Sequence, residues 1–236
     1  KSSPAANGGY IYLPYCTGDV HMGSHKKKYA LGLSVYHYGK INLLKTLKHL
    51  TNIKTINWRN LEKFTLFGSS AGGIASLIHA PNFERYLYPH TKKYIIADSP
   101  GLHFGDTFWH KFSDQQLEDF QENFDKVNLP FDYNSGLLTQ HIPKVCKVLE
   151  NWQVAFLQTT WDYFMSDLFG DISKEQHEQR VLGRKGILNM TKKIDNCHAW
   201  VPRSRMHTTL LLKKSSNEIF YKGQSAMDFV RKVLRK

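Results

Sequence analysis

The sequence predicts an α/β fold in which a mostly parallel sheet carries helices on both faces. Short apolar segments of strand length alternate along the chain with longer segments whose apolar residues recur at helical spacing. The chain has 236 residues, 41% of them hydrophobic, which suits one substantial core. A glycine-rich turn joins one of these strands to one of these helices. We therefore expect a single domain over 1–236.

The first part of the chain predicts a strand, a loop and a helix. Residues 9–14 are apolar and aromatic and predict a strand, and 15–24 mix small and polar residues in the manner of a loop. Loops that follow strands carry the chemistry in open α/β folds, so Asp19 and His21 are candidates for substrate contact. In the alternative interpretation, Asp19 caps a turn and His21 bonds the backbone. Leucines at helical spacing predict a helix over 40–50.

Residues 63–80 hold the most informative pattern of the chain. An apolar strand at 63–67 is followed by the sequence GSSAG and then by an amphipathic helix over 73–80. In a G-x-S-x-G elbow the serine lies at the tip of a strained turn, and its small neighbours let a substrate approach. The register makes Ser70 the candidate nucleophile of a serine hydrolase. The alternative is an ordinary glycine-rich turn between a strand and a helix.

Two later strands are each followed by a carboxylate. The strand at 93–97 ends directly at Asp98, and Asp162 comes three residues after the strand at 153–159. A carboxylate in such a position lies at the functional edge of the sheet. Asp162 is the preferred catalytic acid, and Asp98 is the second candidate, as a structural or substrate-binding residue.

The remaining segments predict further helices and one more strand. An aromatic-rich stretch over 102–136 predicts a helical cap over the site, and the polar stretch 166–193 predicts an insertion or a partly mobile helix. The other predicted elements are a connection at 81–90, a helix at 139–151, a strand at 197–201 and a C-terminal helix at 225–234.

A serine nucleophile needs a base to take its proton and an acid to orient that base. Ser70, Asp162 and His207 follow the chain order of the α/β hydrolases, and each follows a strand. His198 is a rival base, but it lies at the start of the last strand, at the other end of the sheet. The N–H of Ala71 is expected to form half of the oxyanion hole, with the second donor from an earlier glycine-rich loop.

Composition narrows the classes of partner. The net charge of +12 favours polyanions such as acidic polysaccharide, although a solvated basic surface would look the same. We find no nucleic-acid-binding motif and no apolar run of roughly 18 residues that would span a membrane.

Cys16, Cys146 and Cys197 lack C-x-x-C spacing, so we predict no metal site; one disulfide and one free thiol are possible. Asn189 begins a glycosylation sequon. The chain starts at Lys1 and without Met, which is compatible with removal of a signal peptide or larger segment.

Seven segments of the chain resemble the pectin acetylesterase and Notum family of carboxylesterases. They occur in the family's order over nearly the whole chain: YLPYCTGDVHMG at 12–23, VYHYGKIN at 35–42, FGSSAGG at 67–73, IADSPG at 96–101, TTWD at 159–162, AWVPRSRMHTTL at 199–210 and FYKGQSAMDFVRKVL at 220–234.

The resemblance implies an α/β-hydrolase fold without the family's N-terminal strands, and a secreted serine esterase that needs no cofactor. It implies hydrolysis of an acetyl or longer acyl ester of a glycan such as pectin, with Ser70 as nucleophile, Asp162 as acid and His207 as base. Two alternatives stay open. One is a binding or structural subunit without activity, whose missing strands come from another chain. The other is a deacylase of lipidated proteins, which would need a deep apolar pocket.

Overall fold

A parallel four-stranded sheet lies at the centre of the computed structural model, which describes residues 8–54 and 56–236. Its strands follow the order β3-β4-β5-β6, and two antiparallel hairpins, β1-β2 and β7-β8, lie outside it. The strands described are β1 (His25–Lys28), β2 (Ser34–His37), β3 (Lys63–Ser69), β4 (Lys92–Asp98), β5 (Trp152–Leu157), β6 (Cys197–Trp200), β7 (Phe220–Tyr221) and β8 (Gln224–Ser225).

Eight α-helices accompany the strands within the described ranges. They are α1 (Gly39–Asn52), α2 (Ala71–Glu84), α3 (Asp114–Phe124), α4 (Ile142–Val148), α5 (Lys174–Leu182), α6 (Ile187–Thr191), α7 (Lys213–Glu218) and α8 (Ala226–Val233). Local sequence explains several of their starts. Ser173 and Gln176 form a reciprocal capping box at α5, in which Ser173 N–H donates to Gln176 Oε1 at 2.8 Å. Ser225 caps α8 by accepting the N–H of Asp228 at 3.1 Å.

Register brings the carboxyl ends of the central strands to one edge of the sheet. Ser69 at the end of β3 lies opposite Asp98 at the end of β4, and Asp98 lies opposite Leu157 at the end of β5. In open α/β sheets the residues that follow these ends build the functional site. Ser70 therefore emerges beside the end of β4.

Helices cover both faces of the sheet. Alternate strand residues such as Ile95 and Phe156 belong to the large core, which also contains residues of α1, α2 and α4. The residues between them, including Ile96 and Leu157, pack against Phe229 and other residues of α8 in a smaller core. Buried parallel strands need such cover on both sides. The predicted α/β fold, consistent with an α/β-hydrolase-like architecture, is confirmed.

Most of the predicted elements are found with small shifts of their ends. The strands predicted at 63–67, 93–97, 153–159 and 197–201 correspond to β3 to β6, and the helices predicted at 40–50, 73–80, 139–151 and 225–234 correspond to α1, α2, α4 and α8. The connection predicted at 81–90 starts later, because α2 continues to Glu84.

The predicted strand at 9–14 is wrong. No strand is assigned there, and the side chains of Tyr10 and Tyr12 are 88% and 77% exposed. An apolar run becomes a strand only where a neighbouring strand offers hydrogen-bond partners, and within the described residues this run pairs with none.

Two segments differ from their predicted roles. The aromatic stretch 102–136 contains α3, and rings such as Phe104 and Trp109 pack into the large core, so the stretch is more than a cap over the site. Segment 166–193, predicted as an insertion or partly mobile helix, forms α5 and α6. Val181 and Ile187 from these helices are 0% and 1% exposed, so both belong to the core.

A disulfide joins Cys146 in α4 to Cys197 at the start of β6, with a Cα to Cα distance of 6.2 Å. The bond ties a helix to the last strand of the central sheet. Cys16 is a free, exposed thiol. In the part of the chain that the structure describes, no helix is long and apolar enough to cross a membrane.

Candidate active site

The turn between β3 and α2 has the strained geometry of a nucleophile elbow. Ser70 connects the two elements with φ 56° and ψ −123°, a conformation that costs free energy for a residue with a Cβ. Three backbone hydrogen bonds hold it: Ser70 N–H donates to Asp98 O at 2.8 Å, and the N–H groups of Gly73 and Ile74 donate to Ser70 O at 2.8 and 3.4 Å. The serine side chain is thereby presented at the tip of the turn.

Gly68 explains why the turn can be so tight. A Cβ at this position would overlap the backbone carbonyl of Gly72, so only glycine fits. The same carbonyl accepts a hydrogen bond from Ser76 Oγ at 2.8 Å. The first glycine of the sequence motif is thus required by close approach of one backbone segment to another.

Asp162 and His207 form a hydrogen-bonded pair. His207 Nδ1 lies 2.9 Å from Oδ2 and 3.0 Å from Oδ1 of Asp162, whose side chain is fully buried. Met165 N–H and Gln158 Nε2 also donate to the carboxylate, at 3.0 and 3.3 Å. An ionised carboxylate only accepts hydrogen bonds, so Nδ1 would be the donor of this pair, and in a neutral imidazole of that tautomer Nε2 is the nitrogen that can take a proton. The imidazole stacks on the ring of Phe164, with 4.9 Å between the centroids.

The carboxylate of Asp98, predicted as a structural or substrate-binding residue, is turned into the protein. Its side chain is 0% exposed, and its carboxylate accepts hydrogen bonds from Thr209 N–H and Oγ1, both at 3.0 Å, and from Leu210 N–H at 2.8 Å. Burial raises the pKa of Asp98, and the hydrogen bonds from Leu210 and Thr209 oppose that shift. The neighbouring Ser99 Oγ accepts the N–H of Thr208 at 3.0 Å.

Asp19 is likewise turned inward. It is 1% exposed and accepts hydrogen bonds from Thr17 Oγ1 at 2.5 Å, Gly39 N–H at 2.7 Å and His21 N–H at 3.0 Å. It therefore closes its own loop, as the alternative interpretation held, and offers no oxygen to a substrate. His21 is half-buried, burial lowers the pKa of its imidazole, and its carbonyl accepts His79 Nε2 at 2.7 Å. Contact between His21 and a substrate stays a prediction.

The rival base His198 lies away from the elbow. Its Nε2 is 3.0 Å from Oε1 of Gln153, the second residue of β5, and so it lies near the amino ends of the strands. Ser70 lies beyond their carboxyl ends. A histidine at that end of the sheet cannot take a proton from Ser70.

The hydroxyl of Ser70 and the backbone N–H of Ala71 are not engaged by other groups of the described residues. Ser70 Oγ caps no N–H group of α2 and makes no hydrogen bond among residues 8–54 and 56–236. The N–H of Ala71 stands at the first position of α2, where a helix has no carbonyl of its own to offer. Contacts between nucleophile and base are often long in a free enzyme and shorten when the substrate binds.

Comparison with known families now adds to this geometry. The model of the pectinacetylesterase family matches residues 5–197. The chain belongs to the pectinacetylesterase family. Membership implies that the protein is an esterase that acts on acetyl esters. The match includes Ser70 and Asp162 and ends before His207. No curated protein matches the chain.

The residues that hold the acid and the base of this pectinacetylesterase chain were not among those predicted from the sequence. Gln158 follows β5 directly and is 1% exposed, and its place shortly before Asp162 in the sequence is a local signal of this contact. Ser99 and Thr209 carry no such signal, because their partners are distant in the sequence. In the described part of the chain, no group of three or more His, Cys, Asp or Glu residues is placed to hold a metal ion.

Proposed function

We propose that this pectinacetylesterase hydrolyses acyl esters with Ser70 as nucleophile, His207 as base and Asp162 as orienting acid. The observation that carries the proposal is the buried Asp162–His207 pair, with distances of 2.9 and 3.0 Å, on the same sheet edge as the strained Ser70 elbow. Phosphoryl or redox chemistry has no comparable support among these residues.

The proposed reaction proceeds through an acyl-enzyme. Ser70 Oγ attacks the ester carbonyl carbon, and its proton passes to His207 Nε2. Asp162 stabilises the resulting imidazolium, and the N–H of Ala71 donates to the oxyanion. The bond between the carbonyl carbon and the alcohol oxygen then breaks, and the alcohol leaves with the proton from His207. Water repeats the sequence: it gives its proton to His207, releases the carboxylic acid and restores the Ser70 hydroxyl.

The proposed substrate is an acetylated acidic polysaccharide such as pectin. The family supports the acetyl group, and the net charge of +12 supports a polyanion. One surface groove is lined by Arg184, Lys192 and Lys193 together with the apolar residues Pro143, Met190 and Ile194. These three cations form no ion pair within the described ranges, so their charge is available to an anionic chain.

A second candidate is removal of a long acyl chain from a lipidated protein. The observation in its favour is an apolar rim beside the proposed base. Phe164, which stacks on His207, is 42% exposed, and Leu211 and Leu212, which follow on the same loop, are 60% and 58% exposed.

We also propose that the protein is secreted, and the Cys146–Cys197 disulfide supports this because such bonds persist in oxidising compartments. A further proposal is that another chain supplies strands beside β3. That strand is the edge of the described sheet, and Phe67 on it is 51% exposed.

The test is labelling with a fluorophosphonate probe, followed by intact-mass measurement. The serine oxygen displaces fluoride from phosphorus, so an activated serine gains one adduct whatever its natural substrate is. We expect one adduct on the wild type and none on Ser70→Ala. Ser69→Ala is the matched control, because Ser69 Oγ is buried beside the elbow without a hydrogen-bond partner and should leave labelling intact. His207→Gln should abolish labelling, whereas His198→Gln should not.

The outcomes separate the candidates. Folded wild type without an adduct would overturn the proposal that this chain alone is an active serine esterase, and would favour the subunit completed by another chain. If labelling succeeds, acetate release from acetylated polygalacturonate at low and high salt identifies the substrate class. Faster hydrolysis of long-chain than of acetyl esters, with no effect of salt, would favour the lipid deacylase.

A further inference from the structure

Asp98 is bonded to both halves of the proposed catalytic machinery. Its backbone carbonyl accepts the N–H of Ser70 at 2.8 Å, and its carboxylate accepts Thr209 N–H, Thr209 Oγ1 and Leu210 N–H at 2.8 to 3.0 Å. Thr209 and Leu210 lie directly beyond His207 on the same loop. One buried residue thus holds the backbone of the nucleophile and the backbone two and three residues beyond the base.

The loop that carries His207 is held before this residue by hydrogen bonds from the segment 159–163 to its carbonyl groups, and after this residue by Asp98 and Ser99. It runs from the end of β6 at Trp200 to the start of α7 at Lys213 without regular secondary structure. Just after His207 the chain reverses at Thr208, whose φ is 58°. The N–H of Thr208 donates to Ser99 Oγ at 3.0 Å, so a hydrogen bond also joins this turn to the residue that follows β4.

We propose that Asp98 is a positioning residue that sets the separation between Ser70 and His207. This inference rests on the proposed serine mechanism. It follows because the nucleophile and the base lie on different elements, and Asp98 bonds both Ser70 and the part of the base loop that follows His207. Proton transfer requires the two side chains to come within hydrogen-bond reach, so a displaced base loop slows the chemical step.

The geometry also separates this role from that of a catalytic acid. Asp162 receives the imidazole Nδ1, whereas every hydrogen bond to the Asp98 carboxylate in the described residues comes from Thr209 or Leu210. Asp98 is therefore already saturated by the protein and acts through the loop rather than on the imidazole.

The test compares Asp98→Asn with a matched control. In the wild type, the N–H groups of Thr209 and Leu210 donate to the carboxylate oxygens of Asp98. In Asp98→Asn, an NH₂ group replaces one of these oxygens, so two donors face each other and the loop that carries His207 must shift. Asp119 is the control because it is also buried, at 4% exposed, and accepts three hydrogen bonds, from Ser24 N–H, Ser24 Oγ and His25 Nδ1. Asp119→Asn removes a comparable network in a part of the fold with no contact to the proposed triad.

We expect Asp98→Asn to lower kcat for 4-nitrophenyl acetate by roughly 10- to 100-fold with KM within about two-fold, and to slow fluorophosphonate labelling of Ser70 in proportion. Asp119→Asn should lower the melting temperature while kcat stays within about two-fold of the wild type. Equal kcat losses in both variants would show a general packing effect and overturn the positioning role.

A milder variant keeps the proposal testable if Asp98→Asn does not fold. Thr209→Val removes the Oγ1 hydrogen bond and retains the backbone N–H, so a several-fold loss of kcat at unchanged KM is expected. An unchanged kcat in folded Thr209→Val would then overturn the proposal. The serine mechanism and the positioning role of Asp98 are tested by different results. If the wild type is not labelled at Ser70, the mechanism is overturned. If Asp98→Asn shows normal labelling and normal kcat, only the role of Asp98 is overturned.

Discussion

Acidification is expected to destabilise this protein through His79, a buried histidine of α2. Its side chain is 1% exposed, Nε2 donates to His21 O at 2.7 Å, and Nδ1 accepts from Asn82 Nδ2 at 2.9 Å. The neutral imidazole, with its proton on Nε2, thus makes a hydrogen bond with each of its two ring nitrogens. Burial lowers the pKa of His79 to about 4, from 6.5 for the free side chain.

The sign and size of the effect follow from linkage. The unfolded state binds a proton at His79 below about pH 6.5, while the folded state does so only below about pH 4. Between these values the unfolded state holds more protons, so stability is fully present above the unfolded pKa and is lost as the pH falls. Each pKa unit corresponds to about 1.4 kcal/mol, so the free energy of unfolding should fall by roughly 3 kcal/mol between pH 7 and pH 4 through this group.

The perturbation is His79→Gln, which keeps a side-chain donor for His21 O and cannot titrate. Urea unfolding across the acid range should give a pH slope that is shallower than that of the wild type by about 1.4 kcal/mol per pH unit. His49→Gln is the control, because His49 is an exposed residue of α1, and its slope should match the wild type. Equal slopes for the wild type and His79→Gln would refute the assignment of a neutral buried imidazole.

Two further predictions concern the fold around the site. The disulfide spans 51 residues, so replacing Cys146 and Cys197 by Ala should cost up to about 4 kcal/mol, seen as a lower urea midpoint; an unchanged midpoint would contradict this. Gly68→Ala should cost more than about 3 kcal/mol, because its Cβ would overlap a backbone carbonyl of the elbow. Gly72→Ala is its control, since a Cβ there meets nothing within 4 Å, and the larger loss should therefore fall on Gly68→Ala.

Features set by neighbouring residues could be predicted from the sequence. The β3 strand, the GSSAG turn and the α2 helix follow from local apolar patterning and from the small residues that the tight turn requires. The strand wrongly predicted at 9–14 shows the limit of such patterns. Its apolar residues satisfy the local preference, but a strand also needs a partner that lies elsewhere in the chain.

The site was predictable in its chain order and less so in its contacts. The order of Ser70, Asp162 and His207 could be read directly, yet the contact between the last two depends on how β5 and the loop after β6 meet. The role of Asp98 was beyond reach for the same reason, because its partner Thr209 lies 111 residues away. The position of Asp98 after an apolar run predicts that the residue lies at the sheet edge, but it does not predict where its side chain points.

Asp98 and Asp162 show how the same residue type takes opposite roles at one edge of a sheet. Both are fully buried; Asp98 is the last residue of β4, and Asp162 comes after the neighbouring strand β5. What differs is the donor: Asp162 meets an imidazole that can gain a proton, whereas Asp98 meets backbone N–H groups and a hydroxyl that cannot. Because a carboxylate can orient a base only when that base is its partner, the proposed acid is identified by its contacts and not by its place after a strand.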